Sequence, residues 1–279
     1  MGKPHTWHML TNPQPTDEVP LFDYRPGRSP LVIAAPHVGT FVPADIAARL
    51  NATGLEVGET DYHVHRLFDF AHELGATTLW ATHSRYVADL NRDPDSQALY
   101  PGKFETAMCP LSDFDKNDLY QAGYAPDATE IARRRDTYWK PYHAQLRAAL
   151  DAARAQHGHA LLIDAHSIRP SIPSLFDGRL PDLNFGSHDG RAMATAMRET
   201  VRHWGEGQDA YSFVIDGRFK GGYTTRHYGR PQSGIHALQI EIVQDRYLNM
   251  AAPHLYDEAI AAPLSRALRP LVERLLAAF

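Results

Sequence analysis

Two short apolar runs each close on an imidazole. Leu31 to His37 ends Ala34-Ala35-Pro36-His37, and Ala160 to Ala165 leads into Asp164-Ala165-His166. Histidine titrates near neutrality and binds borderline metals through its ring nitrogens. In an open α/β sheet, ligands bind at the carboxyl ends of the strands, so the two runs aim His37 and His166 at one edge. Either imidazole alone is as readily a core side chain satisfied by backbone groups; the pair points to a site. Asp164, two residues before His166, shares its strand face and serves as an outer carboxylate only if the backbone bends there.

A catalytic zinc with an open position needs a third ligand, and histidine with carboxylate is a known mixture. The densest supply is Glu59-Thr60-Asp61-Tyr62-His63-Val64-His65. Asp61 opens an amphipathic segment behind Thr60, where it could equally be an N-cap or first-turn carboxylate. Asp61 is the choice, with Glu59, His63 and His65 as competitors. Farther on, Ala237-Leu238-Gln239-Ile240-Glu241-Ile242-Val243 sets a carboxylate inside an apolar strand, with Gln239 on its face. A buried Glu is either ion-paired or a general base with a raised pKa, and beside a metal site Glu241 is placed to accept and donate a proton.

Arginine gathers in two places. Ser84 to Asp93 contains Arg85 and ends Asn91-Arg92-Asp93, and Gly217 to Arg230 is a glycine-bearing loop with four cations, among them Arg218. A planar guanidinium captures carboxylates bidentately, which suggests a small acidic substrate. A solvated surface charge is the simpler account of Lys220 and Arg230.

These residues need a frame. Apolar runs alternating with helix-period segments predict an α/β fold with a largely parallel sheet. Strands are expected at Leu31 to His37, Thr77 to Thr82, Tyr86 to Leu90, Ala160 to Ala165, Ser212 to Ile215 and Ala237 to Val243. Helices are expected at Pro43 to Leu50, Asp61 to Leu74, Ala128 to Gln156 with a bend near Pro141, Arg191 to Trp204, and Pro253 to Phe279. Without repeats or linker-like shifts, residues 1–279 are expected to form one catalytic domain. Long loops near 93–126, 169–181 and 217–235 are expected to roof its site.

Composition bounds the rest. With 28 Lys+Arg against 33 Asp+Glu, the net charge of −5 argues against a nucleic-acid partner. No apolar run approaches a membrane span, and the start Met-Gly-Lys-Pro-His-Thr-Trp-His lacks the apolar stretch of a signal peptide. The single Cys109 excludes an intramolecular disulfide and multi-cysteine metal sites, which fits a cytoplasmic protein. Serine-hydrolase, P-loop, dinucleotide and zincin motifs are absent. Of the 16 histidines, only His37 and His166 earn a metal role, with His227 a pocket candidate.

The series Pro36-His37-Val38-Gly39-Thr40, Glu59-Thr60-Asp61, Ser84 to Asp93, Asp164-Ala165-His166-Ser167, Asp182 to Gly186 and Gly217 to Gly222 resembles the N-formylglutamate amidohydrolase (N-formylglutamate deformylase) family. The resemblance covers nearly the whole chain in order. It implies a three-layer α/β/α fold around a mixed, largely parallel sheet, similar to the zinc carboxypeptidase-like (phosphorylase/hydrolase-like) folds. It also implies hydrolysis of N-formyl-L-glutamate to formate and L-glutamate, the closing step of one histidine-degradation route. His37 and His166 then correspond to metal ligands, Glu241 to the carboxypeptidase-type glutamate, and Asn91-Arg92 to the pair that holds a substrate carboxylate. Two positions depart: the His-x-x-Glu spacing falls on Thr40, leaving the carboxylate ligand to Asp61, and Val38 stands where a small polar residue is common. The resulting expectation is one divalent metal, zinc by preference, on His37, Asp61 and His166. Glu241 is the expected base, and Arg85, Asn91, Arg92 and Arg218 are expected around a small dicarboxylate. The alternatives are a hydrolase of another N-acyl or N-formimidoyl acidic amino acid, or a non-catalytic metal- or amino-acid-binding module.

Overall fold

The computed structural model describes residues 19–95, 97, 102 and 104–279. The start of the chain and part of the 93–126 loop lie outside the described residues. Seven strands form one sheet: β1 Phe22–Arg25, β2 Leu31–Ala35, β3 Thr77–Ala81, β4 Ala160–Ile168, β5 Leu183–Gly186, β6 Phe213–Ile215 and β7 Ile235–Val243. Their order is β1-β3-β2-β4-β7-β5-β6. The β3-β2-β4-β7 and β5-β6 pairings are parallel, whereas β1 against β3 and β5 against β7 are antiparallel. The helices are α1 Ala44–Ala47, α2 Ala52–Leu55, α3 Ala128–Arg134, α4 Lys140–His157, α5 Thr195–Glu206, α6 Tyr223–Tyr228 and α7 Glu258–Leu276.

Alternation along the strands sorts side chains into two cores. Leu31, Ile33, Leu161, Ile163, Leu238 and Ile240 pack on the layer that holds α5 and α7. Val32, Ala34, Leu162 and Ala237 pack on Leu146, Leu150 and Ala153 of α4. Every residue of β2, β4 and β7 is buried, as expected of parallel strands covered on both faces. The fold is therefore the expected three-layer α/β/α arrangement around a mixed, largely parallel sheet. Among the described residues no helix is long and apolar enough to cross a membrane.

Several expected elements change on folding. Tyr86 to Leu90 is a buried irregular turn instead of a strand, its carbonyls bonded largely by side chains. Asp61 to Leu74 yields a 3-10 helix over Val64–His72, kinked at Phe68, although Val64, Leu67, Phe68 and Ala71 keep the apolar face. The expected bend near Pro141 is a π turn, Arg135–Trp139, fused between α3 and α4. Proline has no N–H for an α-type bond, and the wider turn ends before it. Strands β1 and β5 carry no strong pattern: each has four residues, β1 half exposed at the sheet edge and β5 broken by Asn184. The segment expected as a loop at 217–235 contains α6.

Candidate active site

The cavity sits where β2, β4 and β7 end. In the β4–β7 ladder Asp164 pairs with Gln239 and His166 with Glu241, so four polar side chains emerge on the α4 face of the sheet. His37 follows β2 through a tight turn, and its carbonyl accepts the Asp61 N–H at 2.9 Å. That bond draws the 59–61 segment against the strand end. Asp61 does not cap the 3-10 helix; its Oδ2 lies 3.1 Å from His166 Nδ1 and 3.7 Å from His37 Nδ1.

These three buried donor atoms lie within 4.8 Å of one another. His37 Nδ1 is buried without a hydrogen-bond partner. An orphaned imidazole nitrogen beside a carboxylate oxygen is an arrangement that a cation completes, so His37, Asp61 and His166 fit a metal ion. Among the described residues, the competing Glu59, His63 and His65 are not part of that converging group. Glu59 Oε1 accepts the Phe114 N–H, His63 Nε2 bonds the His254 carbonyl at 3.0 Å, and His65 packs on Trp80.

Outer groups hold both imidazoles. His37 Nε2 donates to Asp89 Oδ1 at 2.7 Å, and Asp89 in turn accepts from Arg85 Nη2 at 2.6 Å and from the Asn91 N–H at 2.9 Å. Burial pushes the His37 pKa down to about 4, aided by the Arg85 charge, so the ring is neutral and able to ligate. Burial alone would raise the Asp89 carboxyl, but Arg85, His37 and Arg92 outweigh it and hold the group well below its ordinary value. His166 Nε2 lies 3.1 Å from Asp164 Oδ1, to which it donates when Nδ1 is the ligating nitrogen, and 2.9 Å from Asn91 Nδ2. That nitrogen has a partner in either protonation state. The Asp164 contact forms along regular β4, so the bend set as its condition is not required.

Glu241 is buried, and the loss of water raises its carboxyl to about 7, with the His166 charge lowering it and Asp61 raising it. Its Oε2 accepts from Gln239 Nε2 at 3.1 Å, while Gln239 Oε1 accepts the Gly222 N–H at 2.7 Å. Gly222 also leaves room for Asn91, whose amide nitrogen stands 2.4 Å from where a Cβ would be.

Arg85, Asn91, Arg92 and Arg218 line the same cavity as His37, Asp61, His166 and Glu241. Arg92 Nε donates to the Thr106 carbonyl and Arg218 Nε to the Leu175 carbonyl, both at 2.9 Å, which fixes the forks. Both ends of the Asn91 amide are engaged, Oδ1 accepting from the Thr224 N–H at 2.9 Å. Phe104, Phe114, Leu175 and Phe219 add apolar wall from the three loop segments. His227 is not among the lining residues; it stacks on Tyr223. Sequence reasoning missed Asp89, Phe114 and the bracing by Gln239. Asp89 sat in a segment expected to be a strand, and only its place between Arg85 and Asn91 hinted at a role.

A family model described as N-formylglutamate amidohydrolase matches residues 29–248. The chain is 43% identical over 261 residues to an N-formylglutamate deformylase of Pseudomonas aeruginosa, covering 94% of this chain and 97% of the relative. It is 41% identical over 257 residues to that of Pseudomonas putida, covering 92% and 96%. A crystal structure of N-formylglutamate amidohydrolase from Ralstonia eutropha JMP134 superposes with a TM-score of 0.77 at 27% identity, covering 93% of this chain and 98% of that one.

Proposed function

The chain belongs to the N-formylglutamate amidohydrolase family, and from that premise we propose that it hydrolyses N-formyl-L-glutamate to formate and L-glutamate with one divalent metal ion, zinc by preference. The observation that carries the reading is the convergence of three ligand atoms, a buried glutamate and three arginines on one cavity. A metal ion held by His37, Asp61 and His166 would polarise the formyl oxygen and acidify water. Glu241 takes the proton of the attacking water and passes it to the leaving amine nitrogen as the C–N bond breaks, leaving formate and a free amino group. Burial raises the Glu241 carboxyl above its ordinary value, which favours its taking up the proton. Arg92, anchored on Thr106 and the Asn91 carbonyl, and Arg218, held at its Nε end, supply the positive charge that draws the two carboxylates of the substrate, with Arg85 and Asn91 on the same wall.

The domain is proposed as a single catalytic unit in which Phe104 and Phe114, Leu175 and Phe219, one group from each of the three loop segments, exclude water from the reaction. Formate release from N-formyl, N-formimidoyl and N-acetyl derivatives of glutamate and aspartate, before and after chelation, tests this. N-formyl-L-glutamate is expected to be the preferred substrate, with turnover lost on chelation and regained with zinc. Glu241→Gln should retain metal while losing roughly 10²–10⁴-fold in kcat; undiminished hydrolysis would remove Glu241 from the chemistry.

A further inference from the structure

The turn at 84–92 carries Arg85, Asp89, Asn91 and Arg92, yet no ladder pairs its buried backbone. Buried carbonyls need donors; backbone N–H groups serve those of Ser84, Asp89 and Asn91, and one continuous helical rod serves four others. Arg134 Nη1 donates to the carbonyls of Tyr86 at 3.3 Å and Val87 at 3.4 Å. Trp139 Nε1 donates to the Arg92 carbonyl at 3.0 Å, and His143 Nε2 to the Leu90 carbonyl at 2.8 Å. Arg134 is wholly buried, and its guanidinium is compensated by Glu130 Oε1 at 2.7 Å and the Tyr120 hydroxyl at 2.9 Å as well as by these carbonyls. A carbonyl only accepts, so the His143 proton sits on Nε2 and Nδ1 takes the Tyr228 hydroxyl at 2.9 Å.

The spacing of these donors depends on the π turn. Trp139 lies five residues after Arg134 and His143 four after Trp139. In a plain α-helix a residue five positions on has rotated well off the face, since about 3.6 residues make a turn. The π turn over Arg135–Trp139 bonds i to i+5 and absorbs the extra residue, returning Trp139 toward the face of Arg134.

We infer that Arg134, Trp139 and His143 are positioning residues for the reaction, aligned by the π turn into a row of donors that sets the turn bearing Arg85, Asp89, Asn91 and Arg92. The kinetic part of this inference rests on the proposed hydrolysis; the structural part does not. Trp139 acts through Arg92, which meets substrate carboxylate, whereas His143 acts through Leu90, between the Asp89 and Asn91 that hold the two metal-site imidazoles.

Trp139→Phe keeps an aromatic ring against His143 and Tyr223 and deletes one N–H. It is expected to raise KM for N-formyl-L-glutamate roughly tenfold with kcat nearly unchanged. His143→Leu is expected to lower kcat and weaken zinc retention roughly tenfold, with His143→Gln recovering part of the loss. Amide hydrogen exchange over residues 84–92 should accelerate in Trp139→Phe and His143→Leu while Tm falls by only several degrees and both proteins remain folded at the assay temperature. Wild-type KM, kcat and exchange in both would overturn the inference, as would an activity loss that follows Tm with KM unchanged in the folded fraction. A wild-type protein that releases no formate from N-formyl-L-glutamate would instead defeat the functional reading, and the exchange comparison would still decide the donor row.

Discussion

His166 and Glu241 face each other across the β4–β7 ladder, whereas Asp89 and Asn91 ride on a turn that belongs to no ladder. The first pair is placed by backbone register, which neighbouring strands fix along nine residues each. The second pair is placed by scattered bonds: side-chain donors from Arg134, Trp139 and His143, Arg85 from within the turn, and single backbone bonds to Met108 and Tyr223. Register places residues cheaply but only in strand directions. An irregular turn can aim groups elsewhere, at the cost of a partner for every buried carbonyl. The ladder wall supplies the atoms nearest the proposed chemistry, and the turn supplies the groups that hold them and face the substrate.

The largest effect is expected on the ladder wall. His166→Ala removes one of three converging ligand atoms and leaves Asp61 and Asp164 as buried carboxylates without their imidazole. Zinc should be lost on dialysis and turnover should fall by at least about 10³-fold, a size comparable to removing a catalytic electrostatic group. Retained metal and turnover would mean that register does not place the reacting centre, and the contrast between the walls would collapse.

Asp89→Asn probes the turn. The amide keeps the shape and can still accept from His37, but the charge that faces Arg85 is gone. Metal affinity should weaken about 10–100-fold, the usual size for a group one step behind a ligand. Breaking a buried ion pair should also cost about 3 kcal/mol of stability, measured by denaturant unfolding. A zinc loss as complete as that of His166→Ala would show both walls to be equally essential and sharpen the comparison into one of support alone.

The same contrast sets what the sequence could disclose. His37, His166 and Glu241 were visible because apolar runs with a polar interruption or terminus announce buried strands, and strand ends announce sites. Arg85, Asn91, Arg92 and Arg218 were visible as residue types, but not their orientation. Nothing in local pattern says that Tyr86 to Leu90, apolar enough for a strand, takes its hydrogen bonds from a helix some fifty residues on. Long-range side-chain donors leave no periodic signature. The 3-10 helix at Val64–His72 kept its apolar stripe because i, i+3 spacing serves either helix, so burial was legible where helix type was not.

Glu59 lies outside both walls and gives the smallest effect. It stands two residues before Asp61, yet its Oε1 accepts the N–H of Phe114, whose carbonyl takes the Ser174 hydroxyl, so it ties the ligand segment to the cavity roof. Burial raises its carboxyl to about 7, against the pull of Arg85. A carboxyl raised on folding binds its proton more tightly in the native state than in the unfolded chain. Its contribution is therefore fully present below the unfolded value of about 4.5 and is lost as pH rises toward about 7. Glu59→Gln keeps an oxygen for the Phe114 N–H but cannot ionise. Unfolding free energies of the two proteins should lie close at pH 5 and separate at pH 8 in favour of Glu59→Gln, by about 1–3 kcal/mol. An unchanged difference between the two pH values would mean that Arg85 compensates the Glu59 charge, making Glu59 and Asp89 joint partners of one arginine and coupling the ligand segment to the turn.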